Sequence, residues 1–517
     1  MLRIEWRHNA VRFLWPLLYC LKDGTWKKAK PHWKFQSLGP RGKRRYVHVP
    51  AGCVEGTGRK RQAVPGAGER VFALGHGGVD GGRRGKNFIL PRPRFRRVEE
   101  VVAELRNQVA GRKDGEPESF DESLKKAALA DLAEYAGEAV SAVERHRAGA
   151  GVHSWREGDL FTCMGWTRAQ YPYHREAEKR GARWETFGVE RKMTPAASDT
   201  VSRLAATLGS FKEGRDTLER LGLGRLSVSK VRAETLASGL VALEAQKAAP
   251  WNKRTYTAKQ RKVPKGGRRV PRTLVILVDG TCVPATRADT RGRKGKNGGE
   301  AGSRQLRIVV LFEYEALDAE GHPVPLPGSF SYAVLLCNAL ELKGFVKKLG
   351  EARGARTALR MECGADGEEA LETLLTEAFP KAVFFNDFMH AASYLSTACH
   401  APGIPNPDKE FKTCKGIMKR HGAGSAMDRL KRLQGEELKA SPEASAALDY
   451  LDKRRTHMNY GWLRKNGYYI GTSHVEAAAR LLVARRCKQA GMHWRVENAA
   501  RVCALLASYR SSPNPAA

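Results

Sequence analysis

The stretch LVILVDGTCVP, residues 274–284, decides how the rest of the chain is read. Leu274 to Val278 are aliphatic without a polar break, so they read as a buried strand. The run then meets Asp279 and Gly280. A carboxylate at the end of a strand built for a dry interior needs a reason. In open α/β sheets, strand ends are where polar groups collect around ligands.

Working downstream, QLRIVVLFEYEAL and SFSYAVLLC read as two further strands, separated by a Gly/Pro loop around GHPVPLPG. Next come the strand ALRMECGAD, a helical EEALETLLTEAF and a short buried strand AVFFND. Residues 405–458 read as helical and charged. Helices over 474–489 and near 496–509 close the chain. Three strands, then β-α-β, then helices predict an α/β fold with a mixed sheet.

Working upstream, residues 249–272 form a basic linker broken by prolines and glycines. Before it, residues 195–245 read as three helices, with Gly222 and Gly224 dividing the second from the third. Ser227 or Ser229 is placed to cap the third. Lys230 and Arg232 near its start fit a DNA-binding helix-turn-helix, and an ordinary helical bundle gives the same pattern. Residues 119–146 carry apolar residues every fourth position and predict one amphipathic helix. Residues 1–98 mix Arg, Lys and Gly with Trp26, Trp33 and Tyr46, which suits phosphate contacts and base stacking, or equally a disordered basic arm.

The chain has 517 residues, a net charge of +35 and a sequence pI near 10.0. Its length suits about three domains. Its charge attracts polyanions, of which nucleic acid is the commonest. Ten cysteines are scattered with no CxxC pair, so neither a zinc ribbon nor a disulfide framework is expected. FLWPLLYCL is too short to span a bilayer and contains Pro16, so no membrane partner is expected. These features suit a reduced, cytoplasmic protein.

Three carboxylates stand out. Asp279 ends the first strand, and Asp366 follows ALRMECGA and opens a helix. Glu476 lies in the first turn of the helix in GYYIGTSHVEAAARLLVARRCKQ. Each has a plain structural alternative: a turn for Asp279-Gly280, a helix cap for Asp366, and an ion pair with Arg480 for Glu476. Together they offer hard oxygen ligands of the kind Mg²⁺ prefers. Two such ions can activate an attacking oxygen and stabilise a leaving one.

The segment from Asp279 to Arg510 resembles the DDE transposases of bacterial insertion sequences, most closely the ISKra group, with wider similarity to Mutator-like transposases. The match rests on the strand ending in VDGT, on GADGEEALETLLTEAFPKAVFFNDFMHAASYL, and on HMNYGWLRKNGYYIGTSHVEAAARLLVARRCKQAGMHW. The last resembles a Gly-Ser-Gly-x-x-Glu motif followed by a basic helix and Gly-Met-x-Trp. The resemblance implies an RNase H-like catalytic domain over 273–510, with a helical insertion at about 405–458. A basic region would precede it at 1–115, then a helical DNA-binding region at 116–248 and the linker at 249–272, with a tail at 511–517.

The same resemblance makes Asp279, Asp366 and Glu476 the catalytic, metal-binding triad. They would hold two Mg²⁺ ions, with Mn²⁺ able to substitute. It implies cleavage at element ends and strand transfer to target DNA by a homo-oligomer near the bacterial nucleoid. Hydrolysis alone by a nuclease, or DNA binding without catalysis by a degenerate copy, are the alternatives. Gly471-Thr472-Ser473 replaces the expected Gly-Ser-Gly, and His474 is unusual beside the Glu. Asp387 and His390, at the end of FND, are read as accessory residues, with a helix cap and a core histidine as alternatives. Arg485, Arg486, Lys488 and Trp494 are read as DNA contacts, with a core position as the alternative for Trp494.

Overall fold

In a computed structural model of the protein, residues 120–148, 154–173, 184, 187–248, 253–295, 298–433 and 441–511 are described, together with short strands within residues 4–63. The chain divides into two compact units, Met1–Pro195 and Ala196–Ala517. The segment 116–248, expected to form one helical region, is divided between them.

In the first unit the early strands form antiparallel hairpins: Ile4–Arg7 with Ala10–Phe13, Leu18–Cys20 with Trp26–Lys28, Phe35–Leu38 with Arg44–Val47, and Val54–Glu55 with Gln62–Ala63. The side chains of Trp26, Trp33 and Tyr46, read as stacking platforms, lie outside the described residues. Helix α1, Phe120–Ala148, fills the expected segment, but its buried face is Ala133, Gly137, Ser141 and Glu144, whereas Ala128 of the expected apolar stripe is exposed. The segment after it, hard to read from sequence, forms a hairpin of β1, Trp155–Thr162, and β2, Gly165–Pro172. Leu160, Ala169 and Tyr171 of that hairpin make a small core with Trp184 and Val189.

The second unit opens with the three expected helices, α2 (Pro195–Thr207), α3 (Phe211–Arg220) and α4 (Val228–Ala248). Ser227 caps α4, accepting from Lys230 N at 3.1 Å. These helices belong with the sheet. Gln246 of α4 donates to Ala504 O (2.9 Å) and accepts from Val334 N (3.1 Å). The basic linker is also committed to the sheet, because its arginines reach buried carboxylates of the second sheet strand (Arg272–Glu313, 2.9 Å; Arg261–Glu315, 2.8 Å).

The sheet is mixed and open, with six strands: β3 (Arg268–Pro284), β4 (Ser303–Leu317), β5 (Pro323–Pro325), β6 (Ser331–Leu335), β7 (Arg360–Ala365) and β8 (Val383–Asn386). Their order is β5-β4-β3-β7-β8, with β6 also on β4. Strand β3 pairs antiparallel with β4 and parallel with β7, and β7 pairs parallel with β8. A central strand with partners on both edges needs helices on both faces, and the alternate residues of the opening stretch show them. Leu274, Ile276 and Val278 share a core with Leu342 and Val346 of helix α5 (Ala339–Ala352), and with Leu371 and Leu375 of α6 (Glu369–Ala378). Val275 and Leu277 share the opposite core with α7 (Phe388–Cys399), α12 (Ser473–Ala478) and α13 (Val496–Arg510). This two-sided burial is why the run lacks alternation.

The expected helical segment 405–458 contains α8 (Pro407–His421), α9 (Ala423–Leu433) and α10 (Pro442–Lys453). Helix α11, Tyr460–Lys465, leads towards α12. The helix expected over 474–489 is α-helical to Ala478, becomes a π-helix over Ala479–Ala484 and closes with an α-helical turn at Arg485–Cys487. No described helix is long and apolar enough to cross a membrane.

Candidate functional site

Strand β3 does not end at Asp279, as the sequence had suggested; it runs on to Pro284 beside β4. What ends is its pairing with β7, whose last partners are Leu277 and Gly364. Asp279 therefore lies two residues beyond the point where one edge of the strand becomes free. By strand alternation it shares the face of Val275 and Leu277. Gly280 lets the strand approach its neighbours: a Cβ there would lie 2.1 Å from Gln305 Nε2 and 2.8 Å from Arg307 Nη1.

Asp366 follows β7, the next strand over. Its Oδ1 accepts from Glu368 N (3.1 Å), and Glu368, rather than Asp366, occupies the cap position of α6. Tyr450 of α10 donates to the Asp366 carbonyl (3.2 Å). That approach requires Gly367, whose φ is +97° and whose Cβ would fall 1.8 Å from the Tyr450 oxygen.

Glu476 is exposed in the first turn of α12. The alternative ion pair with Arg480 does not form among the described residues. The π-turn begins between the two residues and breaks the four-residue spacing that such a pair needs.

The fold brings the three carboxylates into one electrostatic neighbourhood. Burial pushes Asp279 up to about 6 from its ordinary 3.8; its own hydrogen bond from Gly280 N (2.6 Å) and the Arg307 cation pull it down, and the charges of Asp366 and Glu476 push it up. A shift of this size costs about 3 kcal/mol at neutral pH. Burying Leu274 through Val278 supplies roughly 8–15 kcal/mol, so the strand tolerates the charge. Among the described residues, the one His/Cys/Asp/Glu trio whose ligand atoms all lie within 4.8 Å is Asp318, Glu320 and His322, in the turn from β4 to β5. At least one pair within the Asp279–Asp366–Glu476 set is therefore wider than that.

Asp387 takes its cap alternative and also bonds to Thr472, in the turn before Glu476. It is 3% exposed and caps α7, its Oδ1 accepting from His390 N (2.6 Å). Its Oδ2 accepts from Thr472 N (2.7 Å) and lies 3.1 Å from Thr472 Oγ1. Thr472 Oγ1 also lies 3.1 Å from Glu476 Oε1. Thr472 thus ties the buried Asp387 to the exposed Glu476. His390 is exposed, not a core residue. Its ring lies edge-on to Tyr394 (5.5 Å) and Tyr450 (6.2 Å), the latter reaching Asp366.

Sequence reasoning passed over Arg307, Glu368 and Tyr450, and noted Thr472 only as a departure from a motif. Arg307 lies opposite Gly280 in the β3–β4 register and holds Glu368 through two bonds of 2.7 and 2.8 Å. A lone arginine in the apolar run LRIVVLF was the available signal. His474 packs against Phe312, Phe330 and Tyr469, and burial lowers its pKa, so it is a neutral member of an aromatic cluster.

The expected DNA contacts separate. Arg232 and Arg485 are exposed, and Lys230 is half-buried. Lys488 is exposed and donates to Thr281 Oγ1, two residues past Asp279 on the same strand face. Arg486 is a correction and Trp494 takes its core alternative: they are 2% and 8% exposed. The Arg486 guanidinium stacks over Phe211 (4.5 Å) and Trp494 (5.1 Å) and donates to Ala205 O (3.3 Å). Stacking on these rings buries both residues between α2–α3 and the C-terminal segment, out of reach of a duplex. No protein-family model matches the chain, and no curated protein matches it.

Proposed function

We propose that the chain is a DDE-type DNA transposase with an RNase H-like catalytic domain. The observation that carries this reading is the gathering of Asp279, Asp366 and Glu476 from two adjacent strands and a helix, with Asp279 feeling both other charges. The strand order supports the fold assignment: an antiparallel β-meander on one side of β3 and two parallel strands on the other.

The donor set suits Mg²⁺, since all three groups are carboxylates. Ligand oxygens on one Mg²⁺ lie at most about 4.2 Å apart. At least one pair among Asp279, Asp366 and Glu476 is wider than that, so the three would not all meet on a single ion in this arrangement. When bound, such ions would supply charge stabilisation to the attacking and leaving oxygens. The protein's own groups do the positioning. Arg307 and Glu368 brace the Asp279 side, Tyr450 holds the Asp366 backbone, and the Asp387–Thr472 pair holds the turn that presents Glu476. Lys488 places a cation where a phosphodiester would lie. Water would attack for cleavage, and the freed 3′-hydroxyl for joining.

The test uses labelled duplexes made from the DNA flanking the gene. The wild type should nick and then join with Mg²⁺ or Mn²⁺. Asp279→Asn, Asp366→Asn and Glu476→Gln should fold and bind DNA but neither nick nor join. Any one of them cutting at the wild-type rate removes that residue from the triad. Nicking without joining would leave the nuclease reading in its place.

A further inference from the structure

Two strongly basic segments flank β3, and the structure treats them differently. In the upstream one, Arg261 and Arg269 both meet Glu315 at 2.8 Å, and Arg272 meets Glu313 at 2.9 Å. The charge of these three arginines is neutralised within the fold, while Lys259, Lys262, Lys265 and Arg268 of the same segment are exposed and form no ion pair among the described residues. In the downstream one, the loop from β3 to β4, Arg287, Arg291, Arg293 and Lys294 are all exposed. Among the described residues, none of these four forms an ion pair. Of the loop's acids, Asp289 accepts from Thr286 Oγ1 (2.6 Å) and pairs with Arg495 (3.4 Å). Glu300 is exposed opposite Lys294 in a backbone bridge.

The loop is anchored at its base. Thr286 N donates to Trp494 O (2.8 Å), Trp494 N donates to Pro284 O (3.0 Å), and Arg304 Nη1 donates to Asp289 O (3.1 Å). Its distance from the carboxylates is set by the strand. Five extended residues separate Asp279 from Pro284, about 17 Å at ~3.3 Å each. Lys488 stands between, at Thr281. A duplex advances about 3.4 Å per base pair, so that span matches about five base pairs.

We propose that this loop grips the phosphate backbone of duplex DNA about five base pairs from the bond cleaved at the Asp279 site. The proposal deepens the transposase reading and rests on it for the position of the cut. Arginine suits the task, since its planar fork binds phosphate and stays charged at any working pH. The anchored base fixes where the cations stand, so the loop sets register along the duplex as well as adding affinity.

The experiment compares the full-length chain with an Arg287→Gln/Arg291→Gln/Arg293→Gln variant on the same flanking duplexes. Binding is titrated against salt, and hydroxyl-radical footprints are mapped relative to the Mg²⁺-dependent nick. The changes are on exposed side chains, and a thermal melt checks folding. Each phosphate contact adds about 0.9 to the slope of log K against log salt, so the variant's slope should fall by about two to three. Its protected patch about five base pairs from the nick should disappear. An unchanged slope and footprint overturns the proposal while wild-type nicking keeps the transposase reading. Loop-dependent duplex binding by a wild type that never nicks keeps the grip and removes the catalytic reading. A wild type that neither binds nor nicks removes both. Tighter loop-dependent binding to phosphatidylserine vesicles than to duplex would also overturn the DNA assignment.

Discussion

Asp279 and Glu362 both hold protons above the usual carboxylate range, and in both the leading cause is burial. Asp279 is pushed up to about 6 and Glu362 to about 8. For Glu362 the geometry agrees. The Tyr314 hydroxyl lies in reach of Glu362 Oε1 and, at 2.8 Å, of the Gly467 carbonyl. One hydroxyl proton cannot serve both acceptors, so a proton on Glu362 completes the chain. A raised folded pKa means stabilisation that is complete below the unfolded value and is lost as pH rises through the folded one. The windows run from about 4 to 6 for Asp279 and from about 4.5 to 8 for Glu362, each with a slope of up to ~1.4 kcal/mol per pH unit. Urea unfolding in EDTA should therefore show the wild type losing stability from pH 5 to 8. Glu362→Gln, whose amide can donate to Tyr314 and accept from Tyr469 N, should flatten the curve between 6 and 8. Asp279→Asn should flatten only the lower window. An unaltered slope above pH 6 in Glu362→Gln would show that another group carries that proton.

At the scale of elements, β3, β4, β7 and β8 were legible because apolar runs and turn residues are local signals. So were α1 to α4, down to the Ser227 cap. The two aspartates were found as strand-end groups, although β3 runs past Asp279. What was not legible depends on register. Arg307 joins the site because it lies opposite Gly280, and no local pattern encodes that pairing. Arg486 looked like a surface cation because composition does not say which face of a helix a residue occupies. Thr472 was visible only as a departure from a glycine-serine-glycine pattern, yet it links Asp387 to Glu476. Thr472→Val keeps the shape and removes the hydroxyl. It should lower Mg²⁺-dependent nicking about 10- to 100-fold, the usual scale for a group that orients a metal ligand. DNA binding should be unchanged, and Thr472→Ser should restore the rate. Full activity in the valine variant would reduce Thr472 to a turn residue.

At the scale of the molecule, the basic composition led to the expectation of a polyanion partner but not of where it would sit. Residues 1–98 hold 23 Arg and Lys against 5 Asp and Glu, about half of the net charge of +35. The remainder is partly neutralised in the fold, as at Glu313 and Glu315, and partly left exposed, as in the β3–β4 loop. That contrast came from the structure alone.

The bonds that tie α2–α4 to the C-terminal segment also set a timetable. Gln246 meets Ala504 across 258 residues of chain, and Arg486 meets Ala205 across 281. A ribosome adding about 5–20 residues per second needs roughly 13–50 s to travel from Gln246 to Ala504. Through that interval α4 waits for its partner, and Glu476 arrives only near the end. On the proposed transposase reading, a chain still being made would therefore lack the complete Asp279–Asp366–Glu476 set. Stalled chains ending before residue 470 should be protease-sensitive over residues 196–248, and full-length released chains resistant. Equal resistance in the two would show that these helices fold without their late partner.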